Sequence, residues 1–454
     1  MQRLITTIWL SLVILSWANA QESEQESADF KRINTETYRF YMEQKWDSLI
    51  DVGKEGLRTD IDYYYLRMRM GVAWFGKKNY RKASRHYTAA LKQNQGDPLA
   101  LESLYYSRLY SGQYEQARVI RKQFRSDLAM KLPTSEGRFF HQVSAEYLYN
   151  KGVDDGMFEN TAELYPSGIA GVQYTTRHYS NASLSVVNNL APGVLLTHAY
   201  NYLSKSNHYF YNDGLTGVIH PDQRVSQHQY YLSPQFTTQS GYTFKPMVHI
   251  LGIRYQAAYE SSMGFQGGTQ WLMGSVKETD IVTGLSFKKN VGPVDLHLGG
   301  WYGALNNAEQ FQGRAGFTWF PLGNLNLYAG GFFNSQYEII PDRKKVVRLI
   351  PEMMFGFAIS GKVWFDLNGV MGDMTNYLEN NGMIVYNSFS EVIDKKVRFS
   401  VTIPVTQNGS LLYLGGVWTS HYSEFYPLDT GIAVIPTPIT YNSFSIYGGI
   451  SWKF

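Results

Sequence analysis

Along residues 166–454 apolar and polar side chains alternate with period two, whereas along residues 30–160 apolar positions recur with a helical period. The last segment shows the alternation most cleanly. Phe444, Ile446, Gly448, Ile450, Trp452 and Phe454 fall on one face, and Ser443, Ser445, Tyr447, Ser451 and Lys453 on the other. Val397, Phe399, Val401, Ile403 and Val405 alternate with Lys396, Arg398, Ser400 and Thr402 in the same way, and Phe311, Ala315, Phe317 and Trp319 with Gln312, Arg314 and Thr318. Strands with lipid on one side and a polar interior on the other require this pattern, and their backbone groups find partners only if the sheet closes on itself. Short turn signals near 191–193, 239–241, 290–293, 321–324, 360–361 and 407–410 alternate with mostly longer links near 205–225, 259–279, 305–309, 337–345, 371–395 and 421–440. That rhythm fits tight periplasmic turns and external loops. It predicts about fourteen strands from near Gly168 to Phe454, with Gly168–Asn188 counted as a short hairpin; twelve to sixteen strands are compatible with the pattern. A soluble β-sandwich would also alternate, but with shorter strands and no such rhythm of links.

In the helical half, Trp46, Tyr80 and Tyr114 are spaced by 34 residues, and Leu49, Ala83 and Ala117 follow each by three. The clearest unit runs from Tyr64 to Asp97, and the next opens at Pro98. Trp46, Trp74, Tyr80, Tyr87 and Tyr114 are the expected core positions, and a last helix is expected near Ser135–Lys151. The spacing resembles the tetratricopeptide repeat, in which a small residue lets two antiparallel helices approach; the consensus Pro near the end of a unit is Gln95 here. Two good repeats and one degenerate repeat (30–63) would bury their apolar faces by stacking.

Residues 1–20 change the picture of where the chain resides. Arg3, the apolar run Leu4 to Leu15 and Ala18-Asn19-Ala20 read as a secretory signal peptide cut after Ala20, followed by a disordered stretch over 21–29. The chain has no Cys, which excludes disulfides, thiol nucleophiles and Cys-based metal sites. A formal net charge of +3 predicts no polyanion-binding surface and no nucleic-acid partner. Abundant Tyr (35), Phe (25) and Gly (41) suit a barrel with aromatic girdles. The expected fold is α plus transmembrane β: a tetratricopeptide-like helical domain over 30–160, then an antiparallel outer-membrane barrel over 166–454.

That combination resembles the YaiO-type outer-membrane barrel proteins and, more distantly, the repeat-plus-barrel exporters of cellulose and poly-N-acetylglucosamine. Trp452 and Phe454 resemble the closing strand by which the barrel-assembly machinery recognises such proteins. The resemblance implies an outer-membrane location with the helical domain in the periplasm. It also implies a docking platform for a periplasmic protein within an export or envelope-assembly system, without enzymatic activity. A passive or polysaccharide-conducting pore is the second expectation.

Candidate chemistry is sparse. The ten His residues are scattered without metal-ligand spacing, so neither a metal nor a cofactor is expected. Arg177-His178-Tyr179-Ser180-Asn181 resembles the His-x-Ser-Asn motif of lipid A deacylases, which would make His178 a base and Ser180 a nucleophile in a lipid hydrolase; the orienting Glu of that family has no counterpart close downstream. The alternative is a polar hairpin tip. His421 and Ser423, with Glu424 adjacent, form a weaker pair. Arg314, Lys396, Arg398, Asp295 and Asp366 are the expected lumen-facing charges, either as a selectivity lining or as mutually paired groups that fill the barrel.

Overall fold

The computed structural model describes residues 28–125, 138–152, 170–213, 218–219, 222–263, 268–340, 345–387, 391–406, 409–424, 426–427 and 438–454. The expected signal peptide lies outside these residues. Of the stretch 21–29, residues 28 and 29 already belong to the first helix. The chain forms two compact units, one helical and one a barrel.

The helical unit contains α1 (28–42), α2 (Trp46–Arg58), α3 (Tyr64–Gly76), α4 (Tyr80–Gln93), α5 (Pro98–Tyr110) and α6 (Tyr114–Arg121). Helices α2, α4 and α6 start 34 residues apart, as do α3 and α5. Local chemistry fixes the starts. The Asp97 carboxylate caps α5 by accepting from Ala100 N at 2.8 Å, with Pro98 in the first turn, where its missing N–H costs nothing. Asn79 caps α4 through Lys82 N at 3.1 Å. Gly71 lets α3 and α4 close on each other, because a Cβ there would run into the Tyr87 ring. Buried Ala83, Tyr87, Ala90, Leu104, Tyr105 and Ala117 form one core, and Ile33, Leu49, Leu66 and Met70 another. Trp74 packs against both, and Trp46 packs against the second. Tyr80 stacks at the edge with Phe75 and Tyr110. Tyr114 departs from the expected core column: it is 45 % exposed. Its helix has eight residues and no later helix among the described residues to cover that face.

The second unit is an antiparallel barrel of fourteen strands: β1 (Phe140–Lys151), β2 (Ala170–Ala191), β3 (Val194–Asp213), β4 (Asp222–Thr237), β5 (Tyr242–Met263), β6 (Gly268–Val291), β7 (Val294–Leu305), β8 (Ala308–Trp319), β9 (Leu327–Ile339), β10 (Val346–Ile359), β11 (Val363–Met371), β12 (Glu391–Pro404), β13 (Leu411–Ser423) and β14 (Ile439–Lys453). Each strand pairs with its chain neighbours, and β1 pairs with β14 to close the ring, Gln142 with Lys453 and Lys151 with Phe444. Short segments Val218–Ile219 and Tyr426–Pro427 extend the edges of β3 and β2.

The count of fourteen matches expectation, but two strands differ in identity. The helix expected near Ser135–Lys151 is strand β1 over Phe140–Lys151, so the helical domain does not run to 160. Its Ala, Glu and Leu favour a helical reading, yet Tyr147 and Tyr149 point out while Asn150 is buried, the period-two pattern of a barrel wall. The supposed hairpin Gly168–Asn188 is instead the single long strand β2; its Ser180-Asn181 pair sits mid-strand, with no turn.

Alternation holds around the wall. On β14 Phe444, Ile446 and Trp452 are exposed, while Ser443, Ser445, Tyr447 and Ser451 are buried inside. Phe454, just past β14, is exposed, and its N–H donates to His141 O at 3.2 Å. The outer wall is thus an apolar surface that only lipid satisfies, and the inner wall is polar.

Candidate functional site in the barrel lumen

The connection between β11 and β12 does not stay outside the barrel. Residues 372–387 carry a small hairpin, Tyr377–Glu379 paired with Ile384–Tyr386, that turns through Asn380, Asn381 and Gly382, all with positive φ. Inward side chains of distant strands hold it. Gln312 on β8 pairs with the hairpin backbone as another strand would: its Nε2 donates to Leu378 O at 2.7 Å and its Oε1 accepts from Leu378 N at 2.9 Å. Gln310 donates to Asn376 O at 2.6 Å, and Gln336 to Thr375 O at 2.8 Å. His249 on β5 meets Gly382 O at 2.9 Å, and Asn381 donates to the Tyr231 hydroxyl at 3.2 Å. The tip packs among Met247, Trp301, Tyr231 and Leu378 in an apolar cluster. The hairpin therefore crosses the lumen from its base at β11 and β12 to β4, β5 and β8.

Ions secure the near side. Lys396 on β12 donates to Glu379, and Tyr386 donates to the same carboxylate at 2.6 Å. Lys396 and Glu379 are both buried, so the attraction between them is little screened, and each would be costly alone. Arg348 on β10 bridges Glu338 and Asp373, the latter at 2.6 Å.

All five expected lumen charges face inward, and the structure gives each a partner. Arg314 pairs with Glu352 at 3.0 Å and lies over the Phe332 ring. Arg398 donates to the Tyr447 hydroxyl at 2.8 Å and lies 3.9 Å from Glu146. Asp295 accepts from Asn290, and Asp366 from Tyr328. None of these contacts joins two of the five: Arg314, Lys396 and Arg398 meet other carboxylates, and Asp295 and Asp366 accept from neutral side chains. Sequence reasoning missed the hairpin and its wall partners Gln310, Gln312 and His249, which lie 66 to 133 residues from the groups they hold.

His178 and Ser180 lie two apart on one face of β2, and no hydrogen bond joins them among the described residues. The β2 side chain between them, Tyr179, points inward toward Ser445 at 3.4 Å. Among the described residues no acid is bonded to His178, and the base–nucleophile arrangement is not assembled among them. The weaker pair is also rearranged. Ser423 donates to Tyr174 O at 2.7 Å, while His421 turns to Ser443 and Glu391.

No family model matches this chain, and no curated protein matches it. Among solved structures, a deltaS2 mutant of the TodX monoaromatic hydrocarbon channel superposes with a TM-score of 0.45 at 10 % identity, over 71 % of this chain and 91 % of that one. A Pseudomonas aeruginosa FadL homologue superposes with a TM-score of 0.41 at 7 % identity, over 70 % and 91 %. An anion-selective porin from Comamonas acidovorans gives 0.31 at 8 % identity, over 70 % and 98 %.

Proposed function

We propose that the chain is a bacterial outer-membrane protein whose barrel is a solute passage held shut by its own hairpin. The carrying observation is the hairpin across the lumen, bound by side chains of β4, β5, β8 and β12. A barrel serving only as an anchor needs no such element, whereas a passage that is shut at rest requires a segment that can withdraw. The polar partners are side-chain amides, a ring nitrogen and a tyrosine hydroxyl, groups that water or a polar solute can replace, together with the ion pairs Lys396–Glu379 and Arg348–Asp373, which hold more firmly. The apolar outer wall supports the membrane location. In planar bilayers the full chain is expected to conduct rarely. A variant with 374–386 replaced by a short Gly-Ser linker is expected to conduct steadily. Silence from both, with folded barrels verified, overturns the passage and leaves an anchor.

The helical unit supports an additional role. The 34-residue phase of its helix starts favours a tetratricopeptide-like platform, which we read as docking a periplasmic protein. Site-specific photocrosslinkers on α2–α5 in living cells test this; the absence of any discrete adduct overturns it.

A further inference from the structure

At the loop end of the barrel interior, three strands bring together a hydroxyl, an imidazole and a carboxylate. His421 on β13 has Nε2 at 3.0 Å from Ser443 Oγ on β14, and its Nδ1, which makes no hydrogen bond among the described residues, lies 3.5 Å from Glu391 Oε1 at the start of β12, within charge-pair distance. The imidazole lies flat on Tyr441, centroids 4.7 Å apart and planes within 5°, so its plane is set before any substrate arrives. Glu391 is fixed in turn. Its Oε1 accepts from Thr176 N at 2.9 Å, and its Oε2 from Thr176 Oγ1 at 2.6 Å and Lys205 Nζ at 2.8 Å. An ionised Glu391 favours the tautomer with its proton on Nδ1, which leaves Nε2 as an acceptor.

Two hydroxyls compete for that acceptor, Ser443 and Thr419, the latter at 2.8 Å from Nε2 and 2.8 Å from Ser443 Oγ. A second donor distinguishes them. Asn150 Nδ2 on β1 lies 3.1 Å from Ser443 Oγ and 2.8 Å from Ser445 Oγ, while its Oδ1 has no hydrogen-bond partner. A developing oxyanion needs a donor aimed at the former carbonyl oxygen, and the Asn150 amide, which donates to Ser443 and Ser445 in the resting structure, reaches that oxygen by turning from one of them.

We propose that Ser443, His421 and Glu391 form a nucleophile, base and orienter for carboxylic esters, an activity separate from passage through the barrel. Ser443 Oγ attacks the ester carbonyl carbon and its proton passes to His421 Nε2, while the carbonyl π pair moves onto oxygen beside Asn150 Nδ2. Collapse breaks the C–O bond to the alcohol, which takes the proton from Nε2 and leaves an acyl-Ser443. Water, deprotonated by Nε2, then releases the acid and restores the hydroxyl. Ser443 and His421 are the catalytic residues, and Glu391 is a positioning residue.

The test treats the full chain in detergent with a fluorescent fluorophosphonate, which forms an O–P bond to an activated serine with loss of fluoride. Labelling is expected on the peptide that contains Ser443, falling about 100-fold or more in Ser443→Ala and His421→Ala. It is expected to persist in Ser423→Ala. With p-nitrophenyl butyrate, Glu391→Gln is expected to lower kcat about 10-fold or more with KM little changed, because only the charge developing on the imidazole in the transition state loses its partner. Heat-dependent gel mobility verifies that each variant is folded. A folded wild type without label above the heat-denatured background overturns the proposal, as does label that survives Ser443→Ala. Either result leaves the passage reading untouched, and the conductance experiment tests that reading alone.

Discussion

The Lys396 ammonium ties the hairpin to β12 through an ion pair. It lies among buried partners, where its removal strands the Glu379 carboxylate. Breaking one partner of a buried pair costs about 3–5 kcal/mol, whereas removing both is close to neutral. Lys396→Met is therefore expected to open residues 374–386 to limited proteolysis in detergent, and Lys396→Met with Glu379→Gln to restore most of the protection. In the helical unit, His86 gives a prediction of another kind. Burial above all, aided by Arg67 and Arg85, pulls its pKa from 6.5 down to about 4, and its Nδ1 has no hydrogen-bond partner among the described residues. The unfolded chain thus takes up a proton that the folded chain refuses. Stability is complete above pH 6.5 and falls as the pH drops toward 4, by up to about 3 kcal/mol. Helical melting followed at 222 nm should show this loss, and His86→Gln should flatten it. The inward direction of Lys396, Arg398 and Arg314 was legible from alternation alone. Their partners were not, because Glu379 comes from a segment outside the wall and Glu146 from a strand read as helix.

Among elements, legibility depended on whether a local signal could be satisfied in only one way. The period-two strands and the 34-residue helix phase each have one packing solution, and both appear in the structure. The β11–β12 link held the ingredients of a hairpin, Tyr-Leu-Glu and Ile-Val-Tyr around Asn-Asn-Gly, but nothing local says that it folds inward. That destination depends on Gln310, Gln312 and His249, each an ordinary inward polar residue when read alone. Gly382 marks the tightest point of the arrangement. It has a φ of +74°, and a Cβ there would meet Met247 at 2.7 Å and Trp301 at 3.3 Å. Gly382→Val is expected to dislodge the tip while leaving the wall intact. Tryptophan fluorescence should then shift red with unchanged strand content by circular dichroism.

At the scale of the whole molecule, the ring is closed by two strands about 300 residues apart in the chain, β1 and β14. Until both are present, every partial sheet carries two bare edges, the condition under which strands pair with the wrong neighbour. Removing residues 439–454 is expected to abolish the compact, heat-sensitive gel species and yield aggregates, because β1 and β13 then have no partner on one side. The intervening strands all pair with chain neighbours, so local pairing brings the two ends of the sheet together before the seam closes. A product cut short anywhere before β14 cannot complete the ring, and it keeps the bare edges that the seam would have covered.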